Sequence, residues 1–303
     1  MEKRPLEPQE MGINPQSLVK VTTMNHIVEI QYLEKQNSTS FIRKLDADHY
    51  TDIRTGEIME IKHTENRSQG ENSLRKTFNR LRELINTNFV GSPNELFVTL
   101  TYRGELQTND TKRIYEDFKN FMKRLKYAYK KSTTIDYINV LEPHASGNFH
   151  MHVLLRFNDK DRVDYIKNEY LRDMWGNGFV TIQSLKGVDN IGAYLSAYLA
   201  DIEIPEDRAD NLAGHPDLIE KDVKGKKKKF LKGARLIFYP TGVNIYRKSK
   251  GIRDAEKEKM SYKTAQKKVG SVKPHFKYGV ELIDNENDFR NTLIKEQYNL
   301  KRH

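Results

Sequence analysis

His150 and His152 stand two apart in the run Phe149-His150-Met151-His152-Val153-Leu154-Leu155-Arg156-Phe157. Apolar residues recur at 149, 151, 153, 155 and 157, a period of two that predicts a strand with one buried face. Both histidines then share the opposite face, one pleat apart. Two neutral imidazoles aimed at one point can hold a divalent metal. Alone, a His-x-His pair is more often hydrogen-bonded or solvated than ligating. Glu142 adds weight, because it closes a strand from Tyr137 that Pro143 stops. The short 143–148 connection predicts antiparallel pairing of the two strands, which can carry the carboxylate towards the imidazoles. Alternation with Ile138 and Val140 puts Glu142 on an apolar face, so a bulge or twist is expected there. Two histidines and a carboxylate leave positions open for water and a phosphate oxygen.

Tyr194 and Tyr198, four apart, fall on one side of a predicted helix that Asp189 can cap. Together with Ile191, Leu195 and Leu199 they read first as a core stripe. The other reading is a pair of nucleophiles. A free phenol, with a pKa of about 10, needs a cation or a base to ionise near neutrality.

The elements that must position these groups follow from periodicity. Leu96 to Tyr102 is a β-branched and aromatic strand. Asp110 caps a predicted helix through Lys130, with Ile114, Phe118, Phe121, Met122 and Leu125 as its stripe. Val163, Ile166, Tyr170 and Met174 mark a helix ending at Gly176, and Phe179 to Gln183 a short strand. The order strand, helix, strand, strand, helix, strand, helix predicts an α+β fold. Its antiparallel sheet would have the His-x-His strand central and helices packed on one face, leaving the other free for the histidines. Upstream, Leu74, Phe78, Leu81 and Leu84 give an amphipathic helix with Arg75, Lys76, Arg80 and Arg82 on its outer face.

Composition divides the 303 residues into an accessory region at 1–90, a core at 91–205 and an extension at 206–303. In the extension, 203–222 reads as an acidic loop and Lys226-Lys227-Lys228-Lys229 as a basic run. Ile237 to Tyr246 reads as a hairpin about Pro240-Thr241-Gly242, followed by Arg247 and Lys248. The tail beyond 252 is charged and expected to be partly disordered. A net charge of +10 suits a polyanionic partner, nucleic acid before a membrane surface. Lysines interleaved with Phe230, Tyr239 and Tyr246 suit single-stranded DNA, phosphates meeting cations and bases stacking on rings; a solvated loop explains the lysine run equally well. The absence of cysteine excludes disulfides, zinc–cysteine modules and thiol catalysis. No signal peptide and no apolar run of about 20 residues is present, so a cytoplasmic protein without membrane contact is expected.

Three segments taken together resemble a known group. Leu96 to Tyr102, then Glu142-Pro143 with Gly147-Asn148-Phe149-His150-Met151-His152, then Tyr194-Leu195-Ser196-Ala197-Tyr198 are similar, in order and spacing, to the three motifs of HUH-type rolling-circle replication initiators. The resemblance is closest to plasmid and phage proteins with two tyrosines in the third motif. It covers about 96–202. The flanks Thr55-Gly56-Glu57, Lys62 to Arg67 and Ser249-Lys250-Gly251-Ile252 are similar to a Gram-positive bacterial branch.

The resemblance implies a nickase acting on single-stranded DNA at a replication origin. His150, His152 and Glu142 would hold Mg²⁺ or Mn²⁺, and Tyr194 or Tyr198 would form a 5′-phosphotyrosine, leaving a 3′-hydroxyl. Thr99 and Thr101 fall in the first motif, and Lys226 to Lys229, Arg247 and Lys248 are the candidate DNA contacts. No G-x-x-x-x-G-K-[ST] loop appears, so a host helicase as well as a polymerase is expected. Two-tyrosine relatives usually place a lysine three positions after each tyrosine; here Ala197 and Asp201 stand there, with Lys186 a candidate substitute. The alternatives are a mobilisation relaxase or transposase of the same chemistry, and a non-catalytic DNA-binding relative.

Overall fold

The chain begins with β1 (Glu2–Pro5) and the hairpin of β2 (Leu18–Met24) and β3 (Ile27–Leu33). Asn25 turns that hairpin at a φ of 58°, a left-handed conformation that asparagine tolerates. A small separate sheet follows, of β4 (Ile42–Lys44), β5 (His49–Asp52) and β6 (Ile58–Glu60). Then come α1 (Glu71–Asn88), β7 (Glu95–Tyr102), α2 (Thr111–Tyr129), β8 (Ile135–Pro143), β9 (Phe149–Phe157), α3 (Asn168–Trp175) and β10 (Gly178–Ser184). Shorter strands succeed them: β11 (Ile202–Ile204), β12 (Leu218–Val223), β13 (Lys226–Leu231) and β14 (Tyr246–Lys248). The last elements are β15 (Glu256–Ser261), α4 (Tyr262–Val269), β16 (Phe276–Asp284) and β17 (Phe289–Asn299). This computed structural model describes residues 2–36, 41–61, 71–143, 148–188, 190–193, 195, 202–204, 218–223, 226–231, 238–239, 242–286 and 288–302.

Two compact units result: residues 1–65 with 255–303, and residues 66–254. The contacts thus divide the chain elsewhere than composition suggested. In the first unit the two ends of the chain share a six-stranded antiparallel sheet, ordered β1-β16-β17-β3-β2-β15. The tail beyond 252 is therefore ordered rather than loose. Its strands alternate, so that Ile294 and Tyr298 are buried between charged neighbours. Ala265 and Val269 of α4 pack with Val19, Val21, Val28 and Ile30. Buried Glu296 accepts hydrogen bonds from the hydroxyls of Tyr262 and Tyr298 and pairs with Lys277 at 2.9 Å.

The second unit is built on a five-stranded antiparallel sheet, β10-β7-β9-β8-β14, with β9 in the middle. The α+β class holds. On one face Val98, Leu100, Met151, Val153 and Leu155 meet Phe118, Phe121 and Leu125 of α2 and Leu171 and Trp175 of α3. Burying each such side chain is worth roughly 1.5–3 kcal/mol. Asp110 caps α2, accepting from the amides of Lys112 and Arg113. Gly176, at a φ of 72°, ends α3, a left-handed stop that glycine adopts freely.

One expectation is corrected. Helices do not pack on one face alone: Leu81, Leu84, Ile85 and Phe89 of α1 cover Phe97, Ile138, Val140 and Leu154 on the other. Those four sheet residues share the histidine face, so its inner part is apolar and needs a cover. Only the end of that face nearest the β8–β9 connection is polar. Among the described residues, no helix is long and apolar enough to cross a membrane.

Candidate active site

The β8–β9 ladder sets the site. Glu142 lies directly across from His150, and Val140 across from His152. Direct partners of this kind have Cβ atoms about 4.5–5.5 Å apart, and no bulge intervenes. Glu142 reaches the histidines because the apolar alternation of Ile138 and Val140 continues into a polar end of the same face. The expected bulge is thus unnecessary.

His152 is 4% exposed and Glu142 5%, and the Glu142 carboxylate bonds to His152 Nε2. The other ring nitrogen, Nδ1, lies 3.1 Å from Thr99 Oγ1, Thr99 being the direct partner of His152 across the β7–β9 ladder. A carboxylate only accepts, so Nε2 carries the proton and Nδ1 accepts from the threonine hydroxyl. The Phe97 ring lies parallel to the imidazole, 5.3 Å away. His152 is therefore held on three sides. His150 is half-buried on the same face. Among the described residues, no three His, Asp or Glu side chains gather tightly enough to hold a metal ion.

Thr101 shares the face with Thr99, one pleat on. Its carbonyl accepts from the Trp175 indole at 3.2 Å, anchoring the end of β7 to α3. The described tyrosines of this sheet are poor nucleophiles. Burial and a hydrogen bond to Asp117 push the Tyr102 hydroxyl far above the ordinary phenol range. Burial also raises Tyr137 and Tyr246. Tyr194 and Tyr198 lie outside the described residues, as do Asp189, Ala197 and Asp201. Residues 191–193 and 195 are helical, with Ile191 and Leu195 buried in the cluster beneath α1. Asn190, a residue the sequence reading passed over, accepts from the Ala193 amide at 3.1 Å, the bond of a helix cap.

The candidate DNA contacts are placed differently from expectation. Lys226 to Lys229 are not a loop: they belong to β13, the middle strand of a sheet with β11 and β12. The acidic stretch is in part β12, so Lys227 pairs with Glu220 at 2.9 Å. No hairpin joins 237–239 to 243–246; β14 instead lines the edge of β8, Tyr246 opposite Val140. The guanidinium of Arg247 sits 3.3 Å over the Tyr115 ring. Lys248 is bound by Asp254 at 3.1 Å and the Ile252 carbonyl at 3.0 Å. Lys186 follows β10 at the Leu96 end of the sheet. There it lines a cleft of about 740 Å³ with Glu95, Arg162 and Tyr165, away from Thr99 and His152.

These strands coincide with a recognised family segment. Residues 95–203 match the model of a family of replication-associated proteins, the ORF2 family. The match runs from the first residue of β7 to β11 and so includes Glu142, His150, His152 and both tyrosines. It supports a replication-associated protein of the Rep type. No curated protein and no solved structure gives a significant match to the chain.

Proposed function

We propose that the chain initiates DNA replication by nicking, and later rejoining, one strand through a phosphotyrosine. One observation carries this reading: Glu142, His150 and His152 share the polar end of one sheet face, within the segment that matches the replication-associated family. Two imidazoles and a carboxylate fit Mg²⁺ or Mn²⁺, and the Glu142–His152 bond has to open to admit it. Bound there, a divalent cation supplies positive charge against the scissile phosphate.

The protein's own groups do the rest. Thr99 fixes the ring of His152, so that Nε2 points at the phosphate end of the face. The phenolate oxygen of Tyr194 or Tyr198 attacks phosphorus, and the bond to the 3′-oxygen breaks. That oxygen leaves as a hydroxyl after taking a proton, while the 5′-phosphate stays on the tyrosine. The ester keeps the energy of the broken bond, so attack by a 3′-hydroxyl reverses the step. Single-stranded DNA at an origin is the substrate, with a host helicase and polymerase as partners.

The test is a covalent adduct. Short single-stranded oligonucleotides tiling the DNA around the gene for this chain are incubated with protein and Mn²⁺, then resolved on a denaturing gel. One of them is expected to become protein-linked, and the Tyr194→Phe, Tyr198→Phe double variant to lose the product. No adduct across the whole tiling overturns the proposal. That outcome favours a second reading, a non-catalytic DNA-binding protein, to which Ala197 and Asp201 in place of lysines point.

A further inference from the structure

Asn86 is 1% exposed on the face of α1 that otherwise presents Leu81, Leu84, Ile85 and Phe89 to the sheet. A primary amide buried among aliphatic side chains is costly unless both of its ends are bonded. Both are. Asn86 Oδ1 accepts from the Gly192 amide at 2.7 Å, and Nδ2 donates to Asn190 Oδ1 at 2.9 Å. The same Asn190 oxygen receives the Ala193 amide. One side chain thus secures two free amides of a helix start, one directly and one through Asn190.

Gly192 completes the arrangement. A Cβ there would stand 2.6 Å from the Arg82 carbonyl and 2.7 Å from Asn86 Oδ1. Only glycine lets the two backbones come so close. Arg82 and Asn86 are four apart and so lie along one stripe of α1. The same helix packs on Ile138, Val140 and Leu154, in the strands that carry Glu142 and His152. Through α1, the start of the helix at 191 is referenced to the histidine face. Tyr194 comes two residues after Gly192, and Tyr198 four residues later.

We infer that Asn86 and Gly192 are positioning residues for the nucleophile: together they set where the tyrosine segment stands relative to the Glu142–His152 end of the sheet. This rests on the nicking reading. Misplacing a reacting group by about 1 Å can cost about a hundredfold in rate, so a small shift of the helix start falls on the chemical step rather than on DNA binding.

Three variants test it: Asn86→Ala, which removes both bonds, Asn86→Asp, which keeps an acceptor for the Gly192 amide, and Gly192→Ala, which adds the colliding methyl. Hydrogen exchange is read at the amides of 191–195 and of β9 without DNA. Adduct formation with Mn²⁺ is timed at saturating oligonucleotide, and oligonucleotide affinity is measured separately. Asn86→Ala and Gly192→Ala are expected to speed exchange at 191–195 by about tenfold while β9 is unchanged. Both should slow the adduct by about 10–100-fold, with affinity within about twofold, and Asn86→Asp should recover part of the rate.

If wild type forms adduct and all three variants match its rate, the positioning role is overturned alone. Parallel loss of affinity and of β9 protection also overturns it, since the damage is then general. No adduct from wild type overturns the nicking reading and the positioning role together. The exchange data then still decide whether Asn86 holds the helix start.

Discussion

The carboxylate of Glu142 bonds to His152, one pleat away from its direct cross-strand partner His150. The bond satisfies both buried groups and keeps the ligand types of a divalent site together. Mn²⁺ binding, followed by electron paramagnetic resonance, is expected to weaken by about tenfold or more in His150→Ala, His152→Ala and Glu142→Gln. Unchanged affinity in all three would place any metal elsewhere.

Thr99 touches the imidazole from the other side and is expected to act through it. Thr99→Val keeps the shape and removes the hydroxyl. Mn²⁺ affinity should fall by about 10–100-fold, with a thermal midpoint close to wild type. A normal metal titration in this variant would show that the ring is oriented by Phe97 packing alone.

Gly251 belongs to the Ser249-Lys250-Gly251-Ile252 segment, whose structural role is visible. Ser249 Oγ donates to Asp136 at 2.7 Å and receives the Tyr137 amide at 3.0 Å. A Cβ on Gly251 would run into the Asp136 carboxylate. Gly251→Ala is therefore expected to cost about 1–3 kcal/mol of stability in urea unfolding, with Mn²⁺ affinity kept. A neutral effect would mean that the segment can move aside.

Asp136 also gives the unit at 66–254 an acid sensitivity. Burial alone would raise its pKa, but hydrogen bonds from Ser249, Asn158 and Arg156 outweigh it and hold the carboxyl below the ordinary range. A depressed folded-state pKa stabilises above the unfolded value, near 3.9, and that contribution is lost as pH falls through the lower folded value. Thermal midpoints of wild type should drop more steeply than those of Asp136→Asn as pH falls below about 4. Parallel curves would assign the acid sensitivity to other carboxylates.

Local periodicity made much of the nickase-like sheet legible. The run 149–157 is a strand with the expected faces, and the helix from Asp110 ends within a residue of Lys130. Asp110 and Gly176 mark helix ends because capping is a local matter. The covered histidine face was not legible, because Leu154, Val140 and Ile138 show their burial only once α1 is laid across them. The C-terminal strands were missed for a related reason. Lys295, Glu296 and Gln297 look solvated in a linear reading, yet Glu296 is buried by partners such as Tyr262 and Lys277 that no short window contains. Asn86 escaped notice because a single amide in a helical stripe carries no spacing signal.

The sheet shared by the two chain ends imposes an order of events on synthesis. β3 pairs with β17, and β2 with β15, so the hairpin of β2 and β3 emerges from the ribosome long before its outer partners exist. Residues 66–254 hold all the strands of their own sheet and can close first. Until the last strands arrive, the hairpin shows open edges of the kind that invite mispairing between nascent chains. A ribosome stalled short of β17 would therefore release a chain whose central unit is formed while its N-terminal strands remain adhesive.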